Sequence, residues 1–446
     1  MVLSFGTDGV RGPVGSQLDG PAVRALGLAV ARRLDADRVI VGRDTRYSGP
    51  ELARALAEGL MRGGLDVVSL GVAPTPAVAH VARLEMAAGA VVSASHNSWT
   101  DNGVKLFSPG GLKLTDEVQT AVQAEWAALG RIDGPADRSI PEDAVDNRWA
   151  DALVASVTPG ALSGLRLVVD CANGATSGVT ATILARLGAE VSEIHATPDG
   201  RNINQRCGST HPGDLQRAVV ERAAHAGLAF DGDGDRVVAV ASDGSLLDGD
   251  HLLAVCAVDR LERGLLHEST VVVTPMANLG LRRGLAARGI SVYEVPVGDR
   301  YVLEAMESGG WVLGGEQSGH LVFGDLATTG DGTLTGIQVL DAARRAGRPL
   351  GDLATQLVDR VPQVLVSVPV DRPGIEVVTE VADDVAVAAM ELGDGGRILV
   401  RPSGTEPVLR VMVEAVDATL AAVVADRLCA AVRRCDGHGS GGAGLS

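Results

Sequence analysis

The sequence is poor in aromatic residues, which make up only 2% of its 446 positions. The apolar fraction is nevertheless 46%, so alanine, valine and leucine must fill the cores of three or four domains. No apolar run reaches about 18 residues, and we predict no membrane span. The start, MVLSFGTDGVRG, has no basic segment followed by an apolar stretch, so we expect no secretory signal.

Cysteine is scarce, and positive charge is in short supply. The formal net charge is −17. Nucleic acids and anionic membranes require an extended basic face, so we expect neither as a partner. A small phosphorylated substrate needs only a local cluster of arginines. We expect a monomer or a homodimer. The chain has no C-x-x-C pair, so we expect its cysteines to be reduced thiols in a cytoplasmic protein. They are Cys171, Cys207, Cys256, Cys429 and Cys435.

Lysine is almost absent from the chain. Lys105 and Lys113 are the only two lysines among the 39 lysines and arginines. Genomic base composition explains the general bias toward arginine. Arginine does not release a proton in a protein, whereas a lysine with a lowered pKa does. A position that needs proton transfer could therefore not change to arginine.

Three stretches share one plan of strand, polar loop, amphipathic helix and second strand. They are 37–71, 165–194 and 269–295. This alternation predicts an α/β fold with mainly parallel sheets covered by helices. Ligands of such sheets gather in loops beyond the carboxyl ends of the strands. Three such domains would each offer one loop to a shared cleft.

The C-terminal part follows a different pattern. Residues 361–370, residues 395–415 and a final helix over roughly 417–434 predict a smaller sheet-plus-helix domain. We therefore predict four domains around a central cleft, three similar mixed α/β sandwiches and one smaller α+β domain. Their predicted bounds are 1–148, 149–250, 251–361 and 362–435, followed by a Gly/Ser-rich tail, 436–446, predicted to be disordered.

An acidic loop, DGDGDR at 231–236, directly follows an apolar run. Its three aspartates, Asp231, Asp233 and Asp235, would converge, and such crowded negative charge is unfavourable without a cation. Oxygen ligands suit Mg²⁺. An EF-hand is excluded, because its sixth and twelfth positions would be Arg236 and Ser242. A solvated acidic turn is the alternative.

A serine loop, SASHN at 93–97, also ends an apolar run. It lacks the G-x-S-x-G turn of esterases, and no Asp/His pair is placed to activate Ser95 for acyl transfer. Ser95 could instead carry a phosphoryl group, with Mg²⁺ bridging its oxygen. A strand-end cap is the alternative.

Two further loops carry polar groups suited to a sugar phosphate. RPSGTEPVLR, 401–410, predicts a phosphate cradle, with a plain hairpin as the alternative; its donors would be Arg401, Ser403, Gly404, Thr405 and Arg410. No Walker loop occurs in the sequence. GGEQSGH, 314–320, suits paired sugar hydroxyls through Glu316 and Ser318, with a hydrogen bond from His320 to a phosphate or sugar oxygen. An ordinary polar turn is the alternative there.

With these motifs in this order, the sequence resembles the α-D-phosphohexomutase superfamily along almost its whole length. FGTDGVRG, SASHN, DGDGDR, GGEQSGH and RPSGTEP match the functional loops of that family. CGSTHP and VGDRYV, at 207–212 and 297–302, resemble its bacterial branch acting on glucosamine phosphate. That branch supplies a precursor of the UDP-N-acetylglucosamine used for cell walls.

The resemblance implies a mechanism. Phospho-Ser95 would pass its phosphoryl group to the 1-hydroxyl of glucosamine 6-phosphate. The resulting 1,6-bisphosphate would turn over in the cleft and return its 6-phosphoryl group to Ser95, leaving glucosamine 1-phosphate. One Mg²⁺ per chain would be held by Ser95, Asp231, Asp233 and Asp235.

The resemblance also implies roles for further residues. Lys105 would be the general base, with its pKa lowered by the like charge of Arg11. The other implied site residues are His96 and Asn97, which would orient the serine loop, Arg236 as a phosphoserine contact, Arg300 as a substrate contact, and His320 as an acid/base group or phosphate contact. Lys113 matches no catalytic position and is predicted to lie on the surface.

One position departs from the family pattern. Proline usually follows SASHN, but this chain has Ser98 and then Trp99. Proline would fix φ, so Ser98 predicts a looser loop, with an effect on rate or phosphoserine lifetime. Two other functions stay open: a mutase preferring mannose or glucose phosphates, and a non-catalytic regulator that binds sugar phosphates.

Overall fold

The computed structural model describes residues 5–6, 9–134, 146–403 and 407–437. Gly404, Thr405 and residues 438–446 of the predicted tail lie outside these ranges. No helix within the ranges combines the length and the apolar character needed to cross a membrane. All five cysteines fall within them, and each has a free thiol.

The first domain is a six-stranded sheet with helices on both faces. Its sheet order is β1-β5-β4-β2-β3, with β6 paired to β5. The elements are β1 (Val10–Pro13), α1 (Gly20–Arg33), β2 (Arg38–Arg43), α2 (Gly49–Arg62), β3 (Asp66–Val72), α3 (Thr75–Glu85), β4 (Ala88–Val92), β5 (Asp101–Ser108), β6 (Leu112–Lys113) and α4 (Asp116–Leu129). Strand β2 runs parallel to β3 and β4, whereas β5 runs antiparallel to β1, β4 and β6.

Helices α1 and α2 cross at two glycines. A Cβ added to Gly27 would lie 2.4 Å from the Leu56 carbonyl oxygen, and one on Gly59 would lie 2.1 Å from that of Arg24. Only glycine permits so close an approach of two backbones. The crossing lets two helices rich in small residues bury their apolar faces on the sheet without aromatic side chains.

The second domain begins with α5 and is built on a five-stranded sheet, order β11-β10-β9-β7-β8. Its elements are α5 (Arg148–Ala155), β7 (Arg166–Asp170), α6 (Val179–Arg186), β8 (Glu190–Ile194), α7 (Gly213–Glu221), β9 (Ala226–Phe230), β10 (Val237–Ala241) and β11 (Leu246–Leu247). Strand β7 is parallel to β8 and β9, and β10 folds back antiparallel on β9.

The third domain repeats the plan on a four-stranded sheet, order β13-β12-β14-β15. Its elements are α8 (Gly249–Glu262), β12 (Thr270–Val273), α9 (Leu279–Ala286), β13 (Ser291–Glu294), α10 (Asp299–Gly309), β14 (Leu313–Gly315), β15 (Leu321–Phe323), α11 (Gly332–Arg345) and α12 (Leu350–Leu357). Strand β12 is parallel to β13 and β14, and β15 is antiparallel to β14.

The fourth domain is an antiparallel three-stranded sheet, order β16-β18-β17, covered by helices. Its elements are β16 (Gln363–Pro369), α13 (Gly374–Glu380), α14 (Ala382–Leu392), β17 (Arg397–Pro402), β18 (Val408–Glu414) and α15 (Ala418–Cys435). Asp417 caps α15 by accepting a hydrogen bond from the backbone N–H of Leu420. The predicted final helix is therefore confirmed to within a residue or so.

The predicted α/β class with four domains is confirmed. The three repeated stretches form β2-α2-β3, β7-α6-β8 and β12-α9-β13, each with its two strands parallel. The sheets are more mixed than the prediction of mainly parallel sheets, because a hairpin extends each of them on one side. Such hairpins need only a short loop, so strand-helix alternation does not predict them.

The apolar interior is divided unevenly among the domains. One continuous buried cluster joins residues of the first three domains, such as Val91, Leu228 and Val273. The fourth domain has a separate cluster of its own, which includes Val411 and Leu428. Domains one to three therefore share side-chain packing, and the first has a second cluster of its own that includes Val30 and Leu56, whereas none of the described residues of the fourth domain joins the shared cluster.

Candidate active site

The serine loop begins where β4 ends. Ser95 is fully buried and has a left-handed backbone with φ 53°. Its N–H donates to Ser93 Oγ at 2.9 Å, which stabilises this unusual conformation. Its hydroxyl donates to Asp231 Oδ2 at 2.6 Å, across the boundary between the first and second domains. The structure therefore joins the serine loop to the acidic loop directly.

The acidic loop begins where β9 ends, and its three aspartates are buried: Asp231, Asp233 and Asp235. Each offers a carboxylate oxygen within 4.8 Å of the others. One oxygen each of Asp233 and Asp235 is buried without a hydrogen-bond partner. Burial raises the pKa of Asp231, and the charges of Asp235 and Asp233 raise it further. Unsatisfied carboxylate oxygens in this arrangement fit a hard divalent cation.

Lys105 lies beside these carboxylates. It sits on β5 opposite Val91 of β4, and its side chain is only 1% exposed. Its Nζ lies 2.6 Å from Asp235 Oδ2 and 2.8 Å from Asp233 Oδ2. The structure thus brings the rare lysine to the acidic loop, although the two residues it pairs with are 128 and 130 positions later in the sequence.

His96 extends from the serine loop toward two arginines. Its Nδ1 lies 3.3 Å from Ser95 Oγ and 3.2 Å from Arg236 Nη1. Burial, then the charges of Arg236 and Arg11, lower the pKa of His96 to about 4. The imidazole is therefore neutral near pH 7 and suits the predicted orienting role. Asn97, also predicted to orient the loop, donates to Asp101 Oδ2 at 3.0 Å.

The loop that was predicted to hold sugar hydroxyls, GGEQSGH at 314–320, begins at the end of β14 and is called the sugar loop below. Glu316 is half-buried and donates its backbone N–H to the His320 carbonyl at 3.0 Å, while Ser318 is exposed. His320 is buried, and its Nδ1 lies 3.7 Å from Asp235 Oδ1. Burial lowers the pKa of His320, but the carboxylates of Asp235, Asp299 and Glu316 together outweigh it and the net shift is upward. This loop therefore adjoins the acidic loop.

Arg300 and Lys113 are placed differently from the other predicted residues. Arg300 is buried at the start of α10 and donates to Asp116 and Gln119 at the beginning of α4, which links the third domain to the first. The prediction that Lys113 lies on the surface is wrong. Its side chain is 11% exposed, and its Nζ lies 2.7 Å from Asp299 Oδ2. Spacing along β6 did not reveal this ion pair with the first residue of α10.

The phosphate loop lies on the fourth domain, between β17 and β18. Arg401 and Arg410 face each other across the antiparallel pair. Burial lowers the pKa of Arg401, the charge of Arg410 lowers it further, and Glu316 opposes both. Ser403 donates its N–H to the Val408 carbonyl at 2.9 Å. Two facing guanidinium groups repel one another, and an anion between them would relieve this.

The structure adds two site residues that the motifs did not indicate. Thr75 is buried at the start of α3, and its hydroxyl donates to Asp233 Oδ2 at 2.7 Å. Arg46 is buried beneath the serine loop and pairs with Asp44 at 2.8 Å. Both lie just after a strand, but only the segment around Arg46 is polar, which is the signal that identified the other loops.

A second group of possible metal ligands, Asp170, His195 and Cys207, lies in the second domain. Asp170 accepts backbone N–H bonds from Ala172 and Gly208, and His195 Nδ1 lies 3.1 Å from Asp170 Oδ2. Burial raises the pKa of the Cys207 thiol to about 12. This group therefore acts as an internal brace of the loops around it.

Known family models match the chain in four consecutive parts. They are phosphoglucomutase/phosphomannomutase α/β/α domain I over residues 2–131, domain II over 147–244, domain III over 248–361, and the C-terminal domain over 365–431. Four such domains, each with one of the loops described above, define a phosphohexomutase.

Curated relatives refine this assignment. The chain is 48% identical to the phosphoglucosamine mutase of Frankia alni, over 97% of this chain and 98% of that one. It is also 48% identical to the phosphoglucosamine mutase of Thermobifida fusca, with the same coverage. The chain belongs to the phosphoglucosamine mutase family, and it is an enzyme of the isomerase class that transfers a phosphoryl group within its substrate.

Solved structures support the fold. A phosphoglucomutase/phosphomannomutase family protein from Burkholderia thailandensis matches with a TM-score of 0.80 and 26% identity, over 98% of both chains. The Aspergillus fumigatus N-acetylphosphoglucosamine mutase, in complex with GlcNAc-6P and magnesium, matches with a TM-score of 0.68 and 18% identity, over 98% of this chain and 96% of that one. The second likeness is one of fold alone.

Proposed function

We propose that this chain interconverts glucosamine 6-phosphate and glucosamine 1-phosphate, with Ser95 carrying the phosphoryl group between turnovers. The observation that carries the proposal is the 2.6 Å contact between Ser95 Oγ and Asp231 Oδ2. It places a buried hydroxyl against a carboxylate cluster that fits a divalent cation. The names of the curated relatives support glucosamine phosphate as the substrate.

The proposed cation is one Mg²⁺, held by Asp231, Asp233, Asp235 and the oxygen on Ser95. The buried carboxylate oxygens without partners support this assignment. Bound Mg²⁺ would neutralise charge on the transferring phosphoryl group. Thr75 orients Asp233 through its hydroxyl, and the backbone N–H of Arg236 donates to Asp231 Oδ1 at 3.2 Å.

The proposed transfer breaks the bond between phosphorus and Ser95 Oγ and forms one between phosphorus and the sugar 1-oxygen. The hydroxyl proton would pass to Lys105 Nζ in its neutral form, the form that has a free electron pair; Nζ lies beside the same carboxylates. Arg11 and Arg236 are close enough to His96 to lower its pKa, so they supply positive charge around Ser95. The reverse transfer returns the 6-phosphoryl group of the 1,6-bisphosphate to Ser95.

The proposed substrate contacts lie on the third and fourth domains. Glu316 and Ser318 would hold sugar hydroxyls, and His320 would contact a phosphate or sugar oxygen. The second phosphate would lie on the phosphate loop, on Arg401, Ser403 and Arg410, together with Gly404 and Thr405 outside the described residues. The repulsion between Arg401 and Arg410 supports an anion there. Arg300 contributes by linking the third domain to the first.

Intact mass and peptide mapping test this proposal. We expect freshly purified, active enzyme to carry a phosphate on the peptide containing Ser95. A coupled assay should show the highest kcat/KM with glucosamine 6-phosphate when glucosamine, mannose and glucose 6-phosphates are compared. Active enzyme without phosphate at Ser95 would contradict the mechanism, and a clear preference for mannose or glucose phosphate would contradict the substrate assignment.

A further inference from the structure

The serine loop contains no proline, and side chains from outside hold its backbone. The Ser95 carbonyl accepts hydrogen bonds from Arg46 Nη2 at 3.0 Å and from Asn204 Nδ2 at 2.8 Å. The Asn97 carbonyl accepts from the same two nitrogens, at 2.9 Å and 3.1 Å. One guanidinium and one amide therefore tie two carbonyls of the loop together.

The two donors come from different domains. Arg46 belongs to the first domain, like the loop itself. Asn204 belongs to the second domain, where its N–H donates to the Ala172 carbonyl at 2.9 Å and its backbone is left-handed, with φ 57°. A Cβ added to Gly232 would lie 2.6 Å from the Ser95 carbonyl oxygen and 2.9 Å from Asn204 Nδ2. The Asn204 amide thus fastens the serine loop where it meets the acidic loop.

A second link lies nearby on the outer side of the same loop. The Arg201 guanidinium carbon lies 5.1 Å from the ring centre of Tyr47 and 5.4 Å from that of Trp99. The Tyr47 N–H donates to the Gly200 carbonyl at 2.7 Å. In a chain with 2% aromatic residues, two aromatic rings converge on one cation. Cation–π contact favours a defined ring and guanidinium placement even at an exposed site.

We propose that Asn204 and Arg201 are positioning residues that hold the phosphoserine loop of the first domain against the acidic loop of the second, so that the phosphoryl group goes to sugar and not to water. The inference rests on the proposed function. The structure supplies a restraint that the prediction of a looser loop at Ser98 did not include. The loop is held by side chains from outside it, Arg46 of its own domain and Asn204 of the neighbouring domain, in place of a fixed φ within the loop.

The competing reaction is hydrolysis of phospho-Ser95. Water attacks phosphorus, the bond to Ser95 Oγ breaks, the oxygen regains a proton as a hydroxyl, and inorganic phosphate is released. Transfer to sugar needs an aligned loop, because in-line geometry carries most of the rate. Hydrolysis by mobile water needs less alignment. Loosening the loop should therefore lower kcat and shorten the phosphoserine lifetime, with little effect on KM.

The decisive variant is Asn204→Gly, which removes the amide and tolerates the left-handed backbone. We expect kcat to fall about 10- to 100-fold, KM to change by less than about threefold, and the rate of inorganic phosphate release from phosphorylated enzyme to rise about fivefold or more. Arg201→Gln changes only an exposed side chain, and we expect the same pattern with about two- to fivefold effects. Arg201→Lys should restore most of the wild-type behaviour, because it keeps the cation.

Arg222→Gln is the matched control, since it removes one exposed positive charge at the end of α7 in the same domain. It should behave like wild type. Unchanged kcat and unchanged phosphate release in both Asn204→Gly and Arg201→Gln, in enzyme that still carries phosphate on Ser95, would overturn the inference alone. The inference would also be overturned if kcat fell only as far as a lower Tm accounts for, while the rate of phosphate release stayed constant. Active wild-type enzyme without phosphoserine would overturn the proposed function as well.

Discussion

The reaction centre and the phosphate loop differ in how deeply they are buried and in how the surrounding domains are packed. Ser95, Lys105 and Asp231 are at most 1% exposed and lie among domains that share one apolar cluster. Arg401 and Ser403 are half-buried on a domain with its own cluster. The fourth domain joins the third partly through polar contacts, such as Asn278 Nδ2 to Glu414 Oε1 at 3.0 Å and Arg397 Nη2 to the Ala277 carbonyl at 2.8 Å.

This difference matches two different tasks: the reaction centre transfers the phosphoryl group, and the phosphate loop binds the substrate. Phosphoryl transfer depends on atoms kept in fixed positions, which continuous packing provides. The proposed bisphosphate must turn over within the cleft, so the phosphate loop must release one phosphate group and then bind the other. A domain with an independent core is suited to such movement. Mutations in the two regions should therefore affect different kinetic constants.

The largest effect should come from Ser95→Ala. Without the hydroxyl no phosphoenzyme forms, and we expect turnover to fall by about 10⁴-fold or more. A coupled assay measures the rate, and mass spectrometry should show no phosphate at this peptide. Ser98→Ala, in the same loop but exposed, should keep wild-type activity. Substantial turnover by Ser95→Ala would place the phosphoryl carrier elsewhere.

Lys105→Arg tests proton transfer with charge preserved. Arginine does not give or accept a proton at neutral pH, so we expect kcat to fall about 10²- to 10⁴-fold. Lys113→Arg is the matched control among the two lysines and should stay within about threefold of wild type, because arginine also pairs with Asp299. If Lys105→Arg retained full activity, its role as a base would be wrong.

Arg401→Gln tests the phosphate loop, the second of the two regions compared. Loss of a charged hydrogen-bond donor to phosphate should raise KM about 10- to 100-fold, leave kcat within a few-fold, and leave the lifetime of phospho-Ser95 unchanged. Steady-state kinetics and phosphate release measure these quantities. Arg427→Gln, at an exposed position on α15 of the same domain, is the control. An equal loss of kcat would contradict a pure recognition role.

The smallest of these effects should come from Thr75→Val, which removes the donor to Asp233. Loss of a hydrogen bond to a metal ligand should weaken Mg²⁺ binding about tenfold or more, and Thr75→Ser should restore it. A Mg²⁺ titration followed by calorimetry and by activity separates binding from turnover. Equal Mg²⁺ affinity in wild type and Thr75→Val would remove Thr75 from the orientation of Asp233.

Sequence patterns predicted the parts of this molecule that depend on neighbours in the chain. The repeated units and the polar loops that end their strands were visible because strand, loop and helix signals are local. Helices α13 and α14 were not predicted in detail, and the ion pair between Lys113 and Asp299 was missed. The bonds from Arg46 and Asn204 to loop carbonyls have no spacing signature, because contacts between a side chain and the main chain of a distant segment arise only on folding.

The apolar cluster shared by the first three domains also determines how the protein unfolds. Residues such as Val91, Leu228 and Val273 belong to different domains but to one buried surface. Removing any of the first three domains would expose the apolar faces of the other two to water. On heating or in denaturant, these three should melt together as a single cooperative unit, while the fourth domain unfolds as a unit of its own.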